Sequence, residues 1–221
     1  MSDTPLQPPS SAEADAASAS RRPRAKPGER RMQVLQALAD MLQQPAGEKI
    51  TTAALAKRLQ VSEAALYRHF ASKAQMLEGL LDFIEDSLLS LAHQVQAREP
   101  EPQRRCARMA QLILEFAATN PGMARVMVGD ALLHEHERLQ ARVALMFDKL
   151  EALLRQEWRA HAEAQRHPSP TVEAHLRAAG LMAWVQGRLL RFCRSGFKRS
   201  PVEGVDDTLN WLLGSGAGGA T

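Results

Sequence analysis

The chain has 221 residues, 45% of them hydrophobic and 5% aromatic, with 28 Lys and Arg against 25 Asp and Glu and a net charge of +3. That length supports a sizeable core in one or two domains, and a composition rich in Ala, Leu, Arg, Gln and Glu favours helix over sheet. No apolar run reaches the length of a membrane span and no apolar core follows the N-terminal charges as a secretory signal requires; Cys106 and Cys193 have no metal-type spacing and read as reduced thiols of a cytosolic protein.

The charge is unevenly spread. Residues 20–75 carry eleven Lys and Arg against four acids, a net of +7, whereas residues 76–221 carry seventeen against eighteen, a net of −1. The basic excess lies where a polyanion would need it. Residues 1–20 are rich in Pro, Ser and Ala with no apolar period, and disorder is expected there. Arg21, Arg22, Arg24, Lys26, Arg30 and Arg31 follow. They read either as an arm for phosphates or the minor groove, or as a solubilising tail. Pro27-Gly28-Glu29 leads into a helix over 29–44, with Val34, Leu35, Leu38, Met41 and Leu42 at helical spacing. Pro45-Ala46-Gly47 ends it.

Residues 50–77 hold two short helices and a tight turn. Thr51 or Thr52 caps the first, 53–59, which places Leu55, Ala56 and Leu59 on one face. Gln60-Val61-Ser62 is the turn. Ser62 caps the second helix, 63–70, where Glu63 suits the positive end of the dipole. Ala64 and Ala65 are small enough for deep entry into a groove, and Phe70 reads as core. This is the layout of a helix-turn-helix; the competing reading is a generic three-helix packing unit. The order S-x-x-x-L-Y-R-H-F-x-S-K resembles the TetR family of dimeric bacterial regulators. The resemblance implies an all-α, nine-helix subunit, with Tyr67, His69 and Lys73 on the DNA backbone. Thr51, Thr52 and Ser62 would help position the head, while Glu63, Ala64, Ala65 and Arg68 lie nearest the bases.

Residues 72–98 read as one long helix buried through Met76, Leu77, Leu80, Leu81, Ile84, Leu88 and Leu91. Phe83, beside Glu85 and Asp86, lies at the edge of that stripe and on spacing alone is ordinary amphipathic helix. The Glu99–Pro102 stretch breaks the helix. A helix over 104–118, the turn Thr119-Asn120-Pro121-Gly122 and a short helix over 123–128 follow. Gly129-Asp130 opens a long helix to about residue 164, with Leu139, Val143, Met146, Phe147, Leu150, Leu153, Leu154 and Trp158 inward. Thr171 caps a helix to residue 194, on which Ala179, Ala183 and Gly187 recur at every fourth position beside Leu176, Trp184 and Leu190. With the last helix, 205–213, this is a dimer seam or a packing seam inside one subunit. The expected organisation is a basic extension at 1–27, a DNA-binding domain at 28–73, a regulatory and dimerisation domain at 74–213 and a flexible tail at 214–221.

A closer likeness runs over 50–198. Its pieces are Ile50-Thr51-Thr52-Ala53 with Leu55-Ala56, Val61 to Lys73, Phe83-Ile84-Glu85-Asp86-Ser87-Leu88, Asn120-Pro121-Gly122, Ala131-Leu132 with Glu135, Arg138-Leu139-Gln140 and Arg142, and Arg191-Phe192 with Ser195 and Phe197-Lys198. They resemble the nucleoid occlusion branch of the TetR family. That resemblance implies a nucleoid-associated homodimer on palindromic double-stranded DNA, with dimers able to pair on one site. It also implies antagonism of the tubulin-like division protein FtsZ, whose tail would meet Phe83, Asp86 and Leu112. The resemblance implies no cofactor, metal or catalytic residue. One alternative is a repressor released by an apolar ligand among Met109, Phe116, Met127, Met146, Phe147, Trp158 and Trp184. An enzyme is the other. His134 and His136 stand two apart on the expected helix and face different ways, Glu135 and Glu137 read as solvated surface, and neither cysteine has an activating partner.

Overall fold

The computed structural model describes residues 27–44, 50–132, 135 and 137–214. Among these, nine α-helices follow one another without a strand. They are α1 (Pro27–Leu42), α2 (Thr52–Arg58), α3 (Glu63–Tyr67), α4 (Lys73–Arg98), α5 (Pro102–Thr119), α6 (Pro121–Met127), α7 (Glu137–Ala164), α8 (Pro170–Arg194) and α9 (Val205–Leu212), with a 3₁₀ turn at Asp130–Leu132 before α7. The expected extension lies outside the described residues except for Pro27, and Arg30 and Arg31 of the basic run fall within α1. Residues 45–49 and 215–221, and with them the Pro45-Ala46-Gly47 stop and most of the tail, also lie outside. No helix among the described residues is long and apolar enough to cross a membrane.

The helices start where the chain supplies a local acceptor for an otherwise orphaned N–H. Thr51 Oγ1 accepts from Ala54 N at 3.1 Å, Ser62 Oγ from Ala65 N at 3.2 Å and Ser72 Oγ from Gln75 N at 3.2 Å. Helices α5, α6 and α8 instead begin with proline in the first turn, where its missing N–H costs nothing. Two expectations need correction here. Ser169, not Thr171, occupies the cap position of α8, and its side chain makes no capping bond. Gly129-Asp130 does not open α7. Gly129 adopts φ +77°, a left-handed conformation that ends the preceding helix, and α7 begins at Glu137 after the 3₁₀ turn.

Helices α1, α2 and α3 form a small head around Val34, Leu38, Leu55, Leu66 and Phe70, all buried. Burial of Leu66 and Phe70 contributes about 2–3 kcal/mol each, enough to hold a five-residue helix that has little stability of its own. Helices α4, α5, α7 and α8 form the body, and α7 packs along α8 most extensively. A charged cluster joins α4, α5 and α7. Glu157, only 4% exposed, accepts from Gln96 Nε2 at 2.7 Å and from Arg105 at 2.9 Å. Arg105 also donates to the carbonyls of Glu99 and Pro100, fastening the break between α4 and α5.

Head and body meet through α1 and α6. Gly122 lies so close that a Cβ there would stand 1.9 Å from the carbonyl oxygen of Ala39. Arg125 of α6 donates to the carbonyls of Leu42 and Gln44 at 3.2 and 3.1 Å, capping the C-terminal end of α1. The Asn120-Pro121-Gly122 turn therefore also makes the joint, a role its turn chemistry does not reveal.

Candidate nucleic-acid interface

Helix α3 is shorter than its sequence pattern suggests. It ends at Tyr67, and Arg68 to Phe70 turn back over its end, with the N–H groups of His69 and Phe70 both donating to the Leu66 carbonyl. The cause is Phe70. Its ring is buried beside Gly79, where a Cβ would come within 3.1 Å, and Arg31 stacks on it with its guanidinium carbon 4.1 Å from the ring centroid. Arg31 also donates to the His69 carbonyl at 3.0 Å. Thus Arg31, read from sequence as part of a basic arm, braces the chain that follows α3. Its distance of 38 residues from His69 put that role out of reach of local pattern.

Leu66 and Phe70 point inward, while Thr51, Ser62, Glu63, Ala64, Tyr67 and Arg68 are exposed and Thr52, Ala65, His69 and Lys73 are half-buried. The exposed set lies at the start of α2, in Thr51, and along α3 from its Ser62 cap to Arg68. Tyr67 Oη donates to Thr52 Oγ1 at 3.3 Å, and Thr52 Oγ1 donates to Glu63 Oε2 at 2.7 Å. This chain holds α2 and α3 together across the turn and aims the Glu63 carboxylate. Lys57 and Arg58 at the end of α2 and Arg68 after α3 add cations on the same head. The arrangement can donate to phosphates from hydroxyl, phenol and guanidinium groups and accept from a base edge through one carboxylate.

Lys73 differs from the rest. Its ammonium is paired with Glu135 at 2.5 Å, with the two side chains 30% and 17% exposed. Glu135 is therefore not solvated surface, and it precedes α7 rather than standing on it. Sequence reading missed this pair because 62 residues separate its members. His134 and His136 lie outside the described residues.

The other predicted residues lie on the body. Phe83 is half-buried and Asp86 exposed on α4, and Leu112 is half-buried on α5. Leu112 borders a narrow apolar void of about 10 Å³ with Leu88, Leu91, Met109 and Leu153; neither Phe83 nor Asp86 lines it. An open cleft of about 540 Å³ lies between α7, α8 and the 3₁₀ turn, lined by Phe147, Leu189, Leu190, Cys193, Asp130 and Arg194 among others. Burial pushes the Cys193 thiol up to about 12, and it pushes the Cys106 thiol higher still, so both are protonated at neutral pH.

Residues 34–80 match the family described as bacterial regulatory proteins, tetR family, and residues 102–214 match the SlmA-like family described as tetracyclin repressor-like, C-terminal domain. The chain is 49% identical over 184 residues to the nucleoid occlusion factor SlmA of Shewanella sediminis, covering 83% of this chain and 92% of that protein. It is 47% identical to the SlmA of Idiomarina loihiensis, covering 79% and 88%. Among solved structures, a TetR-family transcriptional regulator from Bordetella parapertussis superposes with a TM-score of 0.63 at 22% identity, covering 83% of this chain and 93% of that one. The fatty acid degradation regulator FadR from Bacillus halodurans does so with a TM-score of 0.69 at 11% identity, covering 89% and 99%. These two likenesses show the shared fold. The chain belongs to the SlmA nucleoid occlusion factors, DNA-binding non-enzymes within the TetR-type bacterial regulators.

Proposed function

We propose that this protein works as a homodimer whose two heads engage a palindromic site on chromosomal DNA. In that state it restrains assembly of the division protein FtsZ over the nucleoid. The observation that carries the DNA-binding half is the capped turn with its outward polar set: Leu66 and Phe70 anchor it, and Thr52, Glu63 and Tyr67 are linked across it. Thr51, Thr52, Ser62, Tyr67, His69 and Lys73 are assigned to the phosphates, and Glu63, Ala64, Ala65 and Arg68 to the base edges.

Dimerisation is supported by what α8 and α9 leave uncovered. Leu176 is 62% exposed and Trp211 78%, with Val172, Leu190 and Leu212 also open, while Ala183 and Gly187 lie exposed on the same helix as Leu176. A monomer rarely leaves such a face to water, and a two-fold partner would cover it with the same residues of a second copy. FtsZ is assigned to the surface of α4 and α5 that carries Phe83, Asp86 and Leu112. This partner comes from the family to which the chain belongs.

A ligand-released repressor is the less favoured reading. Trp158 and Met146 are packed in the core, the void beside Met109 has room for about one water, and the 540 Å³ cleft that Met127 and Phe147 border is open to solvent rather than enclosed. The proposal is tested by selecting duplexes from fragmented chromosomal DNA with the purified chain. Recovery of one two-fold symmetric site, lost with Tyr67→Ala and Arg68→Ala together, supports it. Recovery of no common sequence overturns it.

A further inference from the structure

Helices α4 and α7 are joined by a row of ion pairs with one consistent sense. Glu78 meets Arg138 at 2.8 Å, Asp82 meets Arg142 at 2.7 Å, and Glu85 meets Lys149. In each the acid is on α4 and the base on α7. At the head end the sense reverses, with Lys73 of α4 supplying the cation and Glu135, just ahead of α7, supplying the carboxylate. Lys73 is also the first residue of α4, directly after the Ser72 cap. Among the described residues it is the one phosphate-assigned cation of the proposed interface whose charge is tied to the body.

A carboxylate oxygen and a phosphate oxygen offer an ammonium the same kind of acceptor. Both are anions, so seating them together on Lys73 is opposed by their mutual repulsion. The Gly122 contact and the Arg125 cap hold the head to the body without Lys73. The pair is therefore one of several ties between head and body, and it is placed where a phosphate is expected.

We propose that Glu135 is an internal competitor of DNA for Lys73. Without DNA the carboxylate occupies the ammonium. On a duplex the phosphate takes it, and Glu135 is released from α4. This rests on the DNA-binding reading above and adds its regulation. By linkage, whatever steadies Glu135 on Lys73 weakens the grip on DNA, and DNA loosens the start of α7 by the same free energy.

The experiment is an anisotropy titration of a labelled duplex carrying the two-fold site selected above with the full chain and with Glu135→Gln, Lys73→Gln and the double variant. Glu135→Gln should tighten binding about 3- to 10-fold, Lys73→Gln should weaken it, and the double variant should match Lys73→Gln alone. An unchanged affinity for Glu135→Gln overturns the proposal, because a simple strut would alter only the unfolding temperature. So does a gain that persists without Lys73, which would report only the removal of a nearby negative charge. A wild-type chain that binds no duplex overturns the DNA-binding reading itself, and it does so in the first titration, before any variant is compared.

Discussion

The molecule exposes two surfaces of opposite chemistry. The head presents hydroxyls, a carboxylate and cations around a capped turn, with the polar groups already hydrogen-bonded to one another. The α8–α9 face presents Leu176, Leu190 and Trp211 to water. The first suits a polyanion, whose binding weakens steeply as salt rises. The second suits an apolar partner, whose binding is driven by area removed from water and responds little to salt. The difference teaches that one chain keeps a surface suited to a polyanion apart from one suited to an apolar partner, with the joint between α1 and α6 tying head to body.

Breaking that joint should have the largest effect. Gly122→Ala sets a methyl against the Ala39 backbone, which cannot swing aside as a side chain can. A loss of more than about 3 kcal/mol is expected in chemical denaturation, together with loss of DNA binding. Next comes the body's interior. Glu157→Ala removes the acceptor that Gln96 and Arg105 share, leaving Arg105 only the Glu99 and Pro100 carbonyls, at a cost of about 2 kcal/mol, while dimer contacts and DNA contacts are untouched in kind. The uncovered face is tested by Leu176→Glu with Trp211→Glu. Sedimentation equilibrium should show a folded monomer, with the dimer weakened by about 3 kcal/mol or more at every salt concentration. The smallest expected effect is Arg68→Ala, which should weaken binding to the selected site by about 1 kcal/mol and relax the base preference at the position it reads.

What the sequence revealed and what it hid divide along range of interaction. The Ser62 cap, and a cap at Thr51 or Thr52, were legible because a capping side chain acts within its own turn. The inward stripes of α4 and α7 were legible because burial imposes a period on the chain. The early end of α3 was hidden, since it follows from seating Phe70 against Gly79 and Arg31. So was the role of Gly122, whose Asn-Pro-Gly context has a sufficient local explanation as a turn. Glu135 was hidden twice over. It was read as part of a helix that actually begins at Glu137, and its partner is on α4. On the candidate site the pattern supplied the residue types and the turn. The hydrogen-bonded chain from Tyr67 through Thr52 to Glu63 needed the two helices in place.

The most direct test of the central claim is sedimentation of GTP-assembled FtsZ with this protein, in the presence and absence of a duplex carrying its selected site. The account predicts that polymer is lost or rearranged when the duplex is present, and that Phe83→Ala removes this effect while leaving DNA binding intact. DNA binding without any effect on FtsZ polymers, with no capture of the FtsZ tail, would contradict it.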